Sequence, residues 1–109
     1  MALTKSEQKQ PYNTLYEAIL TLKDAEECKN FFRDLCTIAE MRAMEQRFEV
    51  ALMLEKGMIY TDIMKLTGAS SATISRVNRV LHYGDGGYDA VLPRMKETWQ
   101  VPQETDGEL

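Results

Sequence analysis

Three small residues in a row, Gly68-Ala69-Ser70, separate two apolar stripes of helical spacing, and this junction leaves the chain few ways to fold. Ile63 and Leu66 give the preceding segment, which starts near Tyr60, one apolar face. Gly68 can take the left-handed backbone by which a chain leaves a helix and turns sharply. Ala69 is small enough to sit where two helices approach. Ser70 is a good N-cap, because its hydroxyl accepts from a free N–H in the first turn of the next helix. Ile74, Val77 and Leu81 then recur at helical spacing and are placed to pack back on Ile63. The opposite face carries Ser71, Ala72, Ser75, Arg76 and Arg79, small and polar at its start and cationic further on. Two helices joined in this way form a helix-turn-helix. Its second face suits DNA, since short side chains let the backbone approach base edges while arginines reach phosphate or guanine. The plainer alternative is a helical hairpin on a solvated surface, but glycine, cap, aliphatics and arginines all agree on the first reading. The candidate DNA contacts are Thr61 and Lys65 on the first helix, and Ser70, Ser71, Ala72, Thr73, Ser75, Arg76 and Arg79 on the reading helix, 70–82.

A net charge of −4 argues at first against nucleic acid. Its distribution reverses that argument. Residues 1–55 carry a net −3 and residues 83–109 a net −4, whereas 56–82 carry +3 from Lys56, Lys65, Arg76 and Arg79 against Asp62. Cationic charge is thus gathered on the reading unit, as phosphate binding requires, though the footprint is modest. At 109 residues the chain is expected to be one domain with a real core. No apolar run approaches the ~20 residues of a membrane span. The start, MALTKSEQKQ, lacks the apolar block of a secretory signal, so a cytoplasmic protein is expected.

In chain order, residues 1–11 are polar and expected to be flexible. Asn13 is placed to cap a first helix carrying Leu15, Tyr16, Ile19 and Leu22. Asp24 with Glu27 forms a capping-box-like start for a second helix bearing Cys28, Phe31, Phe32, Leu35 and Cys36. Cys28 and Cys36 would stand about 12 Å apart at ~1.5 Å rise per residue, beyond a disulfide's ~7 Å reach. With one histidine elsewhere they make no zinc pattern, so both are expected to be buried apolar residues. Thr37 and Glu40 suggest another capping box, opening a long third helix from Ile38 to Lys56 that Gly57 stops. Met41, Met44, Phe48, Ala51, Leu52 and Met53 make that helix apolar over more than one face, as in a central core helix or half of a subunit interface. After the reading helix, Gly84, Asp85, Gly86 and Gly87 make a compact turn, and Tyr88, Val91 and Leu92 a short last helix halted by Pro93. The expected domain runs over residues 12–95. Residues 96–109, Trp99 included, read as an acidic, disordered tail.

The run GASSATISRVNRVL resembles the turn and reading helix of the tryptophan repressor superfamily. With FFRDLCTIAEMRAMEQRFEVALML before it and YGDGGY after it, the chain resembles the Trp-repressor-like YerC/YecD group over roughly Tyr12 to Leu92. The resemblance implies an all-α fold of about six helices in an intertwined homodimer. It also implies a sequence-specific DNA-binding transcriptional regulator, a repressor, on a palindromic operator. Ser71, Ala72 and Ser75 match positions that face bases in the tryptophan repressor. Thr61 and Met64 match its basic first-helix positions, and neither is cationic. Thr37, Arg47 and Arg76 match residues of its ligand pocket, but Val77 stands where that pocket has glycine and Val80 where it has serine. The β-branched Val77 is expected to fill the cavity, so a vestigial pocket and no small-molecule corepressor are expected.

No nucleophile–base pair and no phosphate-cradling loop after a strand suggest catalysis, so neither an enzyme nor a cofactor is expected. The competing function is a helical protein-interaction module, with the helix-turn-helix as scaffold and the acidic surface as the contact. A dimer is expected on independent grounds. One reading helix contacts few base pairs, whereas two set ~34 Å apart read successive major grooves.

Overall fold

The computed structural model describes residues 13–103, which form six helices and, among the described residues, no strand. These are α1 (Thr14–Ile19), α2 (Ala25–Leu35), α3 (Ile38–Glu55), α4 (Tyr60–Thr67), α5 (Ser71–Tyr83) and α6 (Gly87–Met95). The all-α class is the one the sequence implies. The flexible start expected at 1–11 and the end of the acidic tail, 104–109, lie outside the described residues. The described residues form two compact units, 13–38 and 39–103.

In the first unit Asp24 caps α2, accepting from the Glu27 amide at 2.8 Å, while Glu27 Oε1 accepts from the Lys23 amide at 3.2 Å. The box forms, with its return bond landing one residue earlier than in the standard motif. Asn13 does not cap α1 through its side chain. Its backbone is already helical (φ −90, ψ −1), and only its carbonyl serves, accepting from Glu17 at 2.8 Å. Phe31 and Phe32 meet edge to face with centroids 5.5 Å apart. Cys28 and Cys36 are free thiols, half-buried rather than buried. No residue of α1 or α2 is fully buried.

The second unit is built on the C-terminal half of α3. Val50, Ala51, Leu52 and Met53 are consecutive and all buried. At about 100° per residue, four neighbours point all round the axis, so protein encloses this half of the helix. The wide apolar stripe therefore belongs to a central core helix. Gly57, at φ 79, ends it in a Schellman turn: Met58 N–H bonds Met53 C=O at 3.2 Å and Gly57 N–H bonds Leu54 C=O at 2.9 Å. Ile63, Ala69, Ile74, Val77 and Leu92 complete the buried set. Full burial of Ile63 and Ile74 stabilises the unit by about 1.5–3 kcal/mol each.

Pro93 does not stop the last helix but lies inside it. It has no N–H for the carbonyl four residues back, that of exposed Asp89, which solvent can satisfy instead. Buried Leu92 and half-buried Met95 on either side hold the last turn to the core. Trp99, read as part of a tail, also packs against that core, its N–H bonded to Met95 C=O at 2.9 Å. Between α5 and α6 the glycines differ in kind. A Cβ on Gly84 would lie 2.5 Å from the Val80 carbonyl oxygen, whereas one on Gly87 would meet nothing within 4 Å. Gly84→Ala should accordingly cost roughly 1–3 kcal/mol, and Gly87→Ala should be neutral or stabilising by up to about 1 kcal/mol. Urea denaturation of the two variants beside the parent checks the contrast.

Candidate nucleic-acid interface

The helix-turn-helix is α4, a three-residue turn and α5. Gly68 adopts φ 74 and its N–H bonds Met64 C=O at 2.8 Å, the left-handed exit expected of it. Thr67 finishes the turn with both sides of its hydroxyl, donating to Ile63 C=O at 2.7 Å and accepting from Ala69 N–H at 3.1 Å. Ala69 is buried, as a small residue between two helices should be. Ser70 is extended (φ −74, ψ 159) and its hydroxyl accepts from Thr73 N–H at 3.1 Å, capping α5. Each signal in Gly-Ala-Ser thus does what its chemistry predicts.

Burial of Ile74 and Val77 fixes the rotation of α5, and Leu81 extends that face half-buried. Ser71, Ala72, Ser75, Arg76 and Arg79 are all exposed. By helical periodicity they fill an arc centred opposite the buried one. Ser70, Thr61 and Lys65 are exposed as well. Thr73 stands apart from these candidates: it is half-buried, and its hydroxyl accepts from Ser70 Oγ at 3.0 Å. Its geometry is that of a cap residue. Among the described residues no group of three His, Cys, Asp or Glu side chains could hold a metal ion, and no helix is long and apolar enough to cross a membrane.

Comparison with known proteins agrees with this geometry. The model of the family described as "Trp repressor protein" matches residues 10–96, most of the chain. The chain belongs to the Trp repressor family. Within that family it is 56% identical over 84 residues to the uncharacterized protein YerC of Bacillus subtilis, covering 77% of this chain and 81% of that one. The crystal structure of a TrpR-like protein from Eubacterium eligens superposes with a TM-score of 0.74 at 55% identity, over 77% of this chain and 87% of that chain. A Staphylococcus aureus protein provisionally named a Trp repressor superposes with a TM-score of 0.77 at 43% identity, over 86% and 96%. The Trp repressor family is one of DNA-binding regulators, and the YerC-like resemblance read from the sequence is correct.

Four of the five positions that match the family's ligand pocket lie together. Arg47, Arg76, Val77 and Val80 line one cleft of about 450 Å³, together with Met44 and Tyr88. Val77 is buried with only 3% exposure, so its branches are engaged in the helix-turn-helix core, and it does not close the cleft as expected from its β-branched bulk. Val80, at 45%, is open to it. Thr37 belongs to the first unit and is not among the lining residues. Sequence reading missed Met44 and Tyr88. Met44 was visible one turn before Arg47 on α3, but nothing local to Tyr88 signals that α6 brings it there. Tyr88 stacks on Phe48 with centroids 6.4 Å apart, which fixes that wall.

Proposed function

We propose that the protein is a sequence-specific transcriptional regulator, a repressor, that reads the major groove with α5 and works as a homodimer in the cytoplasm. One observation carries the reading. The helix capped by Ser70 is held by Ile74 and Val77 so that Ser71, Ala72, Ser75, Arg76 and Arg79 all face solvent together. Small residues at the start of that face admit close approach to base edges, and the two guanidiniums further along supply phosphate or guanine contacts. Thr61 and Lys65 flank it from α4, where they can reach the backbone of the same duplex. Selection from a random duplex pool should return two related half-sites about one helical turn apart. Arg76→Ala and Arg79→Ala should each weaken binding to the selected site by about tenfold or more, with the melting temperature unchanged. Parent-like binding by both variants at moderate salt would mean that α5 is not the reading helix. Binding that is absent, or indifferent to salt, would favour the helical interaction module instead.

The homodimer rests on what the first unit leaves open. Leu15, Tyr16, Leu20, Leu35 and Ile38 are all exposed, Leu20 at 85%. A second copy covering these side chains accounts for why a short helix pair devotes so much of its surface to them. Phe31→Asp places a charge one turn from Leu35 on α2 and should convert the dimer to monomer, with loss of tight operator binding. Light scattering at micromolar concentration reads the mass directly. A monomeric parent that binds palindromic DNA tightly would refute the dimer.

The regulator binds its operator without tryptophan. The cleft presents two guanidiniums, from Arg47 and Arg76, and no carboxylate side chain. A free amino acid would bring its ammonium toward Val80, which offers no hydrogen bond, at a cost of about 1–3 kcal/mol. Calorimetry with millimolar L-tryptophan should show no saturable heat, and DNA affinity should not change on its addition. A micromolar site would overturn this reading.

A further inference from the structure

We infer that Gln46 is the residue that sets the pitch of the reading helix, by clasping the turn of the helix-turn-helix from α3. The inference rests on the DNA-reading role proposed above and names a positioning residue for it. Gln46 Nε2 donates to the Thr67 carbonyl at 3.1 Å, a bond between residues 21 apart in the chain. Thr67 is the last residue of α4, so its carbonyl is one of the acceptors that a helix end leaves without an intrahelical partner. The carboxamide supplies that partner. It stands directly over the turn, 4.0 Å from where a Cβ on Gly68 would lie.

Three other polar groups of the turn are satisfied locally. Gly68 N–H goes to Met64, Ala69 N–H to the Thr67 hydroxyl, and that hydroxyl to Ile63. Those bonds fix the shape of the turn but tie it only to α4. The apolar contacts of Ile63, Ile74 and Val77 hold α4 and α5 to the core, yet such packing is non-directional. The Gln46 bond is directional and runs from the core helix to the point about which α5 pivots. Both groups are half-buried, so water competes poorly for either. Losing the bond leaves α5 free to rock on its apolar face. In a dimer that motion alters the distance between the two reading helices, and with it the preferred separation of half-sites.

Gln46→Met keeps length and removes the donor; Gln46→Glu keeps the shape and replaces the donor with an acceptor. The test measures binding to duplexes in which the two selected half-sites are moved apart or together by one and two base pairs. Both variants should stay folded, melting within several degrees of the parent, and bind non-specific DNA equally well. On the selected site they should lose roughly tenfold in affinity, the effect of one half-buried hydrogen bond. Their preference for the selected spacing over its neighbours should flatten. A merely structural role would instead weaken every duplex alike and leave the spacing preference unchanged. Parent-like affinity and spacing preference in either folded variant would overturn the inference. Amide hydrogen exchange at Gly68 and Ala69, measured without DNA, separates this from the DNA proposal. Faster exchange in the variants establishes the clasp even if the parent selects no duplex, and unchanged exchange removes it.

Discussion

The left-handed residue at Gly68 is the constraint on which the rest of the second unit depends. It ends α4 and lets α5 start within three residues, which brings Ile63 against Ile74 and Val77. An L-residue there would hold its Cβ against the following carbonyl, a strain of about 1–2 kcal/mol. Ala69 then has to be small, because it is buried in the turn between the two helices. Once these two positions are set, the face of α5 turned to the core is determined, and the exposed face follows as its complement. The exposed face of α5 thus needs no packing interactions of its own. Its residues are free to be chosen for what they touch outside the protein.

The same economy shapes the electrostatics. Four cations and one acid lie between residues 56 and 82, in a chain whose other parts are net acidic. On the proposed reading, few phosphates are neutralised by each subunit, so the counterion-release contribution is small. Non-specific DNA would be held weakly, and the acidic flanks would weaken it further. Specific binding then depends on base contacts near Ser71, Ala72 and Ser75 and on two subunits engaging together. A protein built this way discriminates by geometry more than by bulk attraction. That places a premium on holding α5 at a fixed angle.

Much of this architecture is written locally in the sequence. Gly57 and Gly68 stop helices where their position demands, Asp24 and Ser70 start them, and the spacing of Ile74 and Val77 declares the buried side of α5. Each of these signals acts within four residues, which is why it can be read without a structure. What escaped reading depends on the fold. Pro93 stays inside α6 because Leu92 and Met95 are anchored in the core. Trp99 packs because the same core lies within its reach, although its neighbours in sequence are polar. Asn13 has a capping side chain but a helical backbone, so local identity misled. Tyr88 reaches the Arg47–Arg76 cleft, and Gln46 reaches Thr67, across separations that no periodicity encodes.

The helix α3 joins these separate features. Gln46 and Arg47 are adjacent on it, with side chains about 100° apart. One side of α3 therefore holds the turn of the helix-turn-helix while the next forms a wall of the cleft beside Arg76. Displacement of α3 along its axis would reach α5 by both routes. In a regulator that requires a ligand, an occupant of such a cleft would have to favour one arrangement of these helices over another, since equal affinity for both shifts nothing. In a regulator that binds constitutively, the protein itself must supply that preference. On that reading, a carboxamide bonded to the carbonyl at the end of α4, together with Val77 buried in the core where it borders the cleft, supplies it within the fold. On the proposed reading, the arrangement that reads DNA is then the ground state, and the cleft can remain open without leaving α5 unsupported.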